Sequence, residues 1–561
     1  MKNYYSVFRL LPSNFYLPMV SGILMGLSIV PVGAWPLAWI ALAPLWVLVI
    51  TRAKQKKPLT LFSRNGEPKR QERTSFVFHP SVWWGIGYHG LALSWITGIH
   101  PMTWMGVNWW ASLAIALFCW LFITFWGTAL VVIWAVGMTF LCPLLIPPNS
   151  QFPNSPIPTC YRVLIGVALW CSLEAIWSTG PLWWTSLSFT QSPYNLAILH
   201  LGQLSGPSTV TAALVAVNGL MAEAWINRGK DTIHHISISL NSIHLNLSYL
   251  NLAIGLLVGL HLLGFGLYSH PLREQPEAAL KVGIIQGNIP NNIKLFSEGR
   301  RRALERYTNG YQTLANQRVQ AVLTPEGALP FFLNELKRKS FYLAILDKGV
   351  VTWVGAYGER RRAYTNSLFS IIGTGETFSR YDKVKLVPLG EYIPFEQLLG
   401  SIVNRLSPLK ANLVAGEPNQ LFETPFGRAI VGICYESAFA QHFQRQAAAG
   451  GQFILTASNN AHYSKAMPAQ HHAQDVMRAI ETDRWAVRAT NTGYSGIVNP
   501  HGRTLWISRI NTYDVHIHTV YRQHTQTLYV RWGDWLTPML LMSVITGISI
   551  RYVNLDDWLS K

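Results

Sequence analysis

Val431-Gly432-Ile433-Cys434-Tyr435-Glu436-Ser437 follows an apolar run that begins at Ala429, so a buried strand delivers a thiol to its carboxyl end and polar residues come next. Active sites of α/β sheets collect at the carboxyl ends of strands. A free cysteine is also a small core hydrophobe, so this stretch alone fits either a packing or a chemical role. Two further stretches favour chemistry: Leu323-Thr324-Pro325-Glu326-Gly327-Ala328-Leu329-Pro330, and Tyr381-Asp382-Lys383-Val384-Lys385-Leu386-Val387-Pro388-Leu389-Gly390-Glu391-Tyr392-Ile393-Pro394. They set a carboxylate and an ammonium beside apolar runs and turn-forming Pro or Gly, as the first stretch sets the thiol.

Around these stretches the chain reads as short strand-like runs at Val282–Ile285, Val319–Leu323, Val351–Val354, Ser367–Ile372, Ala429–Ile433, Phe453–Thr456 and Gly496–Val498. Amphipathic helical stretches lie between several of them, as at Ser297–Gln320 and Ala469–Val487. Alternating strands and helices over residues 281–533 predict an α/β domain. Residues 269–280 read as a polar, Pro-containing linker.

The rest of the 561 residues is different. Half of the chain is hydrophobic, only 13% is charged and 23 residues are tryptophan, which points to a membrane protein carrying a soluble part. Residues 15–51 are long enough for two spans broken at Pro31-Val32-Gly33, and no cleavable signal peptide is evident. Further spans are expected near 79–98, 108–139, 161–179, 205–226 and 249–268, the 108–139 stretch as one long span rather than two. This makes residues 1–268 a seven-span region. An eighth span at Trp535–Ile550 places 534–561 back in the membrane with a short cytoplasmic tail. The segment 52–77 carries Arg52, Lys54, Lys56, Lys57, Arg64, Lys69, Arg70 and Arg73, whereas the loops near 32, 99–107 and 180–204 carry no Lys or Arg. Positive loops stay inside, so 281–533 is expected outside the cytoplasm, in the periplasm of an inner-membrane protein. The net charge of +18 fits an anionic membrane rather than nucleic acid, since no zinc-finger spacing or basic helix on a soluble fold is present. Cys119, Cys142, Cys160 and Cys171 lie in the hydrophobic half, and Cys434 alone lies in the soluble segment, where it has no disulfide partner.

A cysteine attacks as thiolate, a form that a neighbouring cation favours. A carboxylate in reach can take the thiol proton and later return it. A lysine and the backbone N–H after the cysteine can stabilise a tetrahedral oxyanion. Glu326, Lys383 and Cys434 each follow a strand-like run and are the candidates for these tasks.

Pro-Glu, then Tyr-x-Lys-x-x-Leu-Val-Pro-x-Gly-Glu-x-x-Pro, then Ile-Cys-Tyr-Glu, in this order, resemble the nitrilase, or carbon–nitrogen hydrolase, superfamily. The spelling Leu386 to Pro394 resembles its membrane-embedded branch, the apolipoprotein N-acyltransferases. So do Gln286-Gly287-Asn288-Ile289-Pro290, Tyr364-Thr365-Asn366-Ser367, Ser458-Asn459-Asn460-Ala461, Arg488-Ala489-Thr490-Asn491-Thr492-Gly493, and Glu174 followed by Thr179-Gly180-Pro181-Leu182-Trp183. The resemblance implies an α-β-β-α sandwich on a membrane bundle. It implies Cys434 as acyl-accepting nucleophile, Glu326 as general base and Lys383 as stabiliser of the tetrahedral intermediate. Glu391 would support the lysine, and Tyr435 and Glu436 would line the site. The implied ping-pong reaction moves an acyl chain from a phospholipid to Cys434 and then to the amino-terminal amine of a diacylglyceryl-cysteine apolipoprotein, with no cofactor. Departures from the family spelling stand at Trp177, Leu295, Asn460 and His462, none of them in the three-residue set.

His462, His471 and His472 lack the HExxH arrangement of a metal site. Glu174, inside a span, marks a functional or water-reached position. A transporter reading leaves the motif-bearing domain unexplained. A membrane-fused amidase would share the three residues and pass the acyl group to water, and an impaired relative would only bind lipoproteins.

Overall fold

The computed structural model describes residues 15–54, 72–145, 156–228, 236–240, 243–360, 363–388, 390–392, 413–461 and 463–559. Most of the basic 52–77 loop, His462, Leu389, Ile393 and Pro394 lie outside the described residues.

Among the described residues, four helices are long and apolar enough to cross a membrane: Trp109–Cys142, Cys160–Thr179, Pro207–Ile226 and Tyr249–Tyr268. The first belongs to one continuous 37-residue helix, Trp109–Leu145, so the 108–139 stretch is a single helix as expected. The other stretches read as spans are shorter or interrupted. Residues 15–51 form helix Tyr16–Leu27, a 3-10 turn at Trp35–Trp39 and helix Ala43–Lys54. The 79–98 stretch divides between helix Glu72–Ala92 and a 3-10 turn at Ser94–Ile99. The apolar part of the last helix, Leu536–Ile550, is also short.

Small residues let these helices touch. A Cβ on Gly22 would sit 2.2 Å from the Trp84 carbonyl oxygen, and one on Gly87 would sit 2.6 Å from that of Met19. Glycine at these crossings therefore allows backbone-to-backbone approach. Two buried carboxylates inside the bundle are paired. Arg162 grips Glu223 through Nε at 2.8 Å and Nη2 at 2.5 Å. Glu174 is buried and accepts from Trp170 Nε1 (3.1 Å), Ser186 Oγ (2.7 Å), Leu187 N (2.8 Å) and Thr211 Oγ1 (2.9 Å). Its charge faces protein donors rather than lipid.

The soluble part is built on two six-stranded sheets. One runs Thr504–Ile507, Gly496–Val498, Ala486–Thr490, Phe453–Ser458, Gly427–Ile433, Phe422–Thr424; the other runs Asp514–Tyr521, Ala279–Gln286, Ala321–Leu323, Val351–Arg360, Ala363–Ile371, Thr377–Asp382. Strand side chains alternate between faces, which sorts the apolar residues into layers. Val282, Ile284, Leu323 and Trp353 meet Val431, Ile433, Leu455 and Val487 between the sheets. Outside the second sheet, Ile285, Val322 and Val354 pack on helices Ser297–Asn316 and Ser340–Lys348. Outside the first, Ile430, Ile454 and Ala486 pack on helices Ala440–Ala448 and Ala466–Thr482. The layers are thus helix, sheet, sheet, helix.

Several boundaries differ from the sequence reading. The helix expected at Ala469–Val487 spans Ala466–Thr482 and stops at Asp483, whose φ of 54° is left-handed. Ala486–Thr490 is instead a strand, parallel to Phe453–Ser458. The helix from Ser297 ends at Asn316, ahead of Arg318 at φ 58°. Edge strands Thr377–Asp382, Phe422–Thr424, Thr504–Ile507 and Asp514–Tyr521 were not read, because their polar residues hide the alternation.

Replacing Glu174 by Leu leaves four donors without their acceptor. We expect a loss of about 3 kcal/mol or more, seen as a lower thermal midpoint in detergent, and a smaller loss for Glu174→Gln. An unchanged midpoint for Glu174→Leu would show that these bonds contribute nothing.

Candidate active site

Strand Gly427–Ile433 lies between the edge strand Phe422–Thr424, to which it is antiparallel, and Phe453–Ser458, with which it is in parallel register. It ends at Cys434, the first residue of a short 3-10 turn. Cys434 has φ 53°, a left-handed conformation that costs a non-glycine residue about 1–3 kcal/mol and persists only where its surroundings impose it. His471, on the buried helix Ala466–Thr482, imposes it. Its Nε2–H donates to the Cys434 carbonyl at 2.6 Å, while Nδ1 accepts from Asn460 Nδ2 at 3.1 Å. Burial lowers the His471 pKa to about 3, so the ring stays neutral and keeps this tautomer. Arg478, two turns further along the same helix, donates to the Ser437 carbonyl at 3.2 Å. His472 faces elsewhere and pairs with Thr504 Oγ1 at 2.8 Å.

The two residues after the cysteine are tied down in opposite directions. Glu436 is fully buried and its carboxylate accepts from Ile433 N (2.7 Å), Val384 N (2.6 Å), Lys385 N (3.1 Å) and the Tyr381 hydroxyl (3.2 Å). It therefore clamps the chain just after Lys383 to the strand carrying Cys434. Tyr435 points to the membrane half: its hydroxyl donates to the Pro181 carbonyl at 2.7 Å and accepts from Trp183 N at 2.9 Å, and its ring stacks on Trp184.

Glu326 follows strand Ala321–Leu323, and Lys383 follows strand Thr377–Asp382 in the same sheet. Lys383 is 1% exposed and sits between two carboxylates, with Nζ 2.8 Å from Glu326 Oε1 and 2.9 Å from Glu391 Oε1. Asn366 Nδ2 bridges the same two oxygens at 2.7 and 3.2 Å, and Asn459 N donates to Glu326 Oε2 at 2.9 Å. The Cys434 thiol is within hydrogen-bonding reach of Glu326. Glu326, Lys383, Glu391 and Cys434 thus meet at one edge of the sandwich.

Electrostatics assigns the resting protons. Burial by itself pushes the Glu326 carboxyl up, but Lys383 outweighs it and leaves the group below its usual value. Burial also raises Glu391, which the Glu326 charge keeps high against the pull of Lys383. The ammonium of Lys383 loses by burial and gains more from its two carboxylates, so it stays charged. Burial pushes the Cys434 thiol up to about 12, with Glu326 adding to the rise and Lys383 opposing it. Lys383 favours the thiolate, as a neighbouring cation does, but burial and the carboxylate charge outweigh it, so the resting sulfur keeps its proton.

Asparagines join the two sheets at this edge. Asn491 accepts from Ile289 N at 2.8 Å, and its Nδ2 donates to the Ile289 carbonyl at 2.7 Å and to Asn459 Oδ1 at 3.1 Å. Asn366, Asn459 and Asn491 stand in the sequence motifs without a task, and His471 enters the sequence reading only as a histidine without a metal-site arrangement. A signal for Asn459 and Asn491 was their place just after fully buried strands, where an unpaired amide is costly.

A two-sheet sandwich faced by helices, with carboxylate, ammonium and thiol at one edge, is the architecture of the carbon–nitrogen hydrolases, whose sequence pattern matches residues 282–529. The pattern of the apolipoprotein N-acyltransferase N-terminal domain matches residues 21–220. A curated apolipoprotein N-acyltransferase of a Nostoc species is 57% identical over 95% of this chain and 98% of its own, and one of a Synechocystis species is 46% identical over 94% and 98%. The chain belongs to the apolipoprotein N-acyltransferase family. Among solved structures, a mutant Nesterenkonia amidase of the nitrilase superfamily aligns at 18% identity over 46% of this chain and 95% of its own, with a TM-score of 0.35.

Glu436→Ala removes the acceptor of three backbone donors that hold Lys383 and Cys434 in register. We expect a lower thermal midpoint and acyl-transfer activity lower by about 10²-fold, the scale of a 1 Å misplacement. His471→Leu should slow acylation with little change in donor KM, and His471→Gln, which retains an N–H donor, should recover part of the rate. Equal rates in His471→Leu and the parent protein would remove the carbonyl contact from the account.

Proposed function

We propose that this acyltransferase moves an acyl chain from a phospholipid, through a thioester on Cys434, to the amino-terminal amine of diacylglyceryl-cysteine apolipoproteins. One observation carries the choice of a lipid donor. Tyr435, next to the nucleophile, is bonded to Pro181 and Trp183, just beyond the apolar helix Cys160–Thr179. This tie sets Cys434 near the end of a candidate span, which supports a lipid ester as the donor. Names of the curated relatives support the acyltransferase activity and the lipoprotein acceptor.

In the first step the thiol attacks the ester carbonyl while Glu326 takes its proton. The oxyanion is stabilised by Lys383, with the backbone N–H of Tyr435 as second donor. Collapse expels the lysophospholipid oxygen, which receives the proton back from Glu326. In the second step Glu326 takes a proton from the incoming amine, which attacks the thioester, and Cys434 leaves with a proton. Glu391 holds the lysine. A site that passes the acyl group to water would use the same first step and differ only in the acceptor.

The proposed arrangement has about eight spans, seven within 1–268 and one within 534–561, a linker at 269–280 and a catalytic domain at 281–533 facing the periplasm from the inner membrane. Loop charge supports it, since long domains cross regardless of their own charge. Protease added to intact spheroplasts should cut within 281–533, and cutting confined to inverted vesicles would reverse the topology.

Single-turnover acylation from labelled phospholipid, followed by a chase with a diacylglyceryl-cysteine peptide, tests the chemistry. Mass spectrometry should find the adduct on Cys434, and Cys434→Ala should lose it. Lys383→Met should slow both steps by about 10²–10³. Glu326→Gln should slow the first step as well as the second, because the resting sulfur is protonated. Wild-type transfer by Cys434→Ala would overturn the mechanism, and release of free acid without transfer to the peptide would make the protein a hydrolase.

A further inference from the structure

Lys294 is a second lysine at this site. It ends the short helical turn Asn291–Lys294, just after the Gln286–Pro290 motif, and is 7% exposed. Its Nζ donates to the main-chain carbonyl of Glu326 at 3.3 Å, and among the described residues it has no carboxylate partner. Helix Ser297–Asn316 closes over the turn: a Cβ on Gly299 would lie 2.0 Å from the Ile293 carbonyl oxygen and 2.7 Å from Lys294 Cα. The lysine is therefore fixed by close backbone packing rather than by an ion pair. Burying an ammonium against one neutral acceptor is costly, and such a group ordinarily pairs or loses its proton. Burial lowers Lys294 to about 8, with Glu326 and Cys434 pulling it back up.

The charge count at the site explains what such a cation serves. Lys383 lies within 2.9 Å of two carboxylate groups, so it offers no surplus positive charge. When the thiol attacks, its proton goes to Glu326 and the negative charge moves from that carboxylate to the tetrahedral oxygen on the acyl carbon. A cation serving this step must feel both Glu326 and Cys434 without being neutralised by a carboxylate of its own. We propose that Lys294 is the second cation of the acyl-transfer site, stabilising negative charge as it passes from Glu326 to the sulfur-bound tetrahedral centre. The inference rests on the acyl-transfer reading above, but its electrostatic part is measurable without a lipid.

The test uses the full-length protein in detergent. Alkylation of Cys434 by iodoacetamide is followed by mass spectrometry across pH 6–11, and thioester formation from labelled phospholipid is followed in parallel. Lys294→Met should shift the alkylation profile to higher pH, slowing alkylation at pH 8 about tenfold, and should slow thioester formation by about 10–10². Lys294→Arg should restore the alkylation profile and part of the rate, and Lys294→Gln should behave like Lys294→Met. An unshifted alkylation profile in both neutral variants would overturn the proposal, even if acylation fell, since packing alone would then be at stake. If Lys294→Met does not fold, the Arg and Gln variants decide: equal profiles overturn the proposal and a lower reactivity in Gln supports it. A wild-type protein that alkylates as described but forms no thioester would refute the acyl-transfer reading and leave the electrostatic role standing.

Discussion

An ammonium buried between two carboxylates is the constraint on which this structure turns. Desolvating Lys383 would be prohibitive alone, and it is tolerated because Glu326 and Glu391 approach within hydrogen-bond distance on two sides. Each partner then needs its own support. Asn366 spans both carboxylates, and the backbone N–H of Asn459 reaches across from the other sheet to the free oxygen of Glu326. The charge centre thus sets the distance between the sheets at their functional edge, and the asparagine contacts of Asn491 and Ile289 keep it.

The proposed nucleophile is held by a different kind of force. Cys434 is in a left-handed conformation that its own chain does not favour. Contacts come from beneath, through the His471 and Arg478 bonds to carbonyls of the turn, and from the side, through Glu436. These are neutral or backbone-directed bonds. They position the thiol, and in the proposed mechanism its proton goes to Glu326.

Much of this was legible in the sequence, for identifiable reasons. Strands buried on both faces announce themselves as continuous apolar runs, so Ala429–Ile433 and Phe453–Thr456 were read nearly as they stand. Glu326 and Cys434 could be named because each follows such a run, whereas Lys383 follows a polar edge strand and was singled out by the motif around it. Edge strands with polar faces were not readable, and Ala486–Thr490 was merged into the preceding helix because Trp485-Ala486-Val487 continues its apolar pattern. The tasks of Glu436 and His471 depend on a partner 37 to 55 positions away in the chain, and no local spacing encodes such a contact. Span count suffered similarly: short helices such as Tyr16–Leu27 follow the expected order, but their length alone does not carry them across a bilayer.

The seam between the two halves has a bearing on how such a protein can change over generations. Helix Ala466–Thr482 is buried along nearly its whole length, and Gln470 accepts from Trp184 while donating to the carbonyls of Val30 and Ala92. Its neighbour His471 props the turn at Cys434. One helix therefore has to satisfy a membrane surface and an enzyme surface at the same time. A bundle and a sandwich taken from distant relatives would bring mismatched halves of this seam, so the two parts are inherited as a unit, and drift in one is answerable to the other.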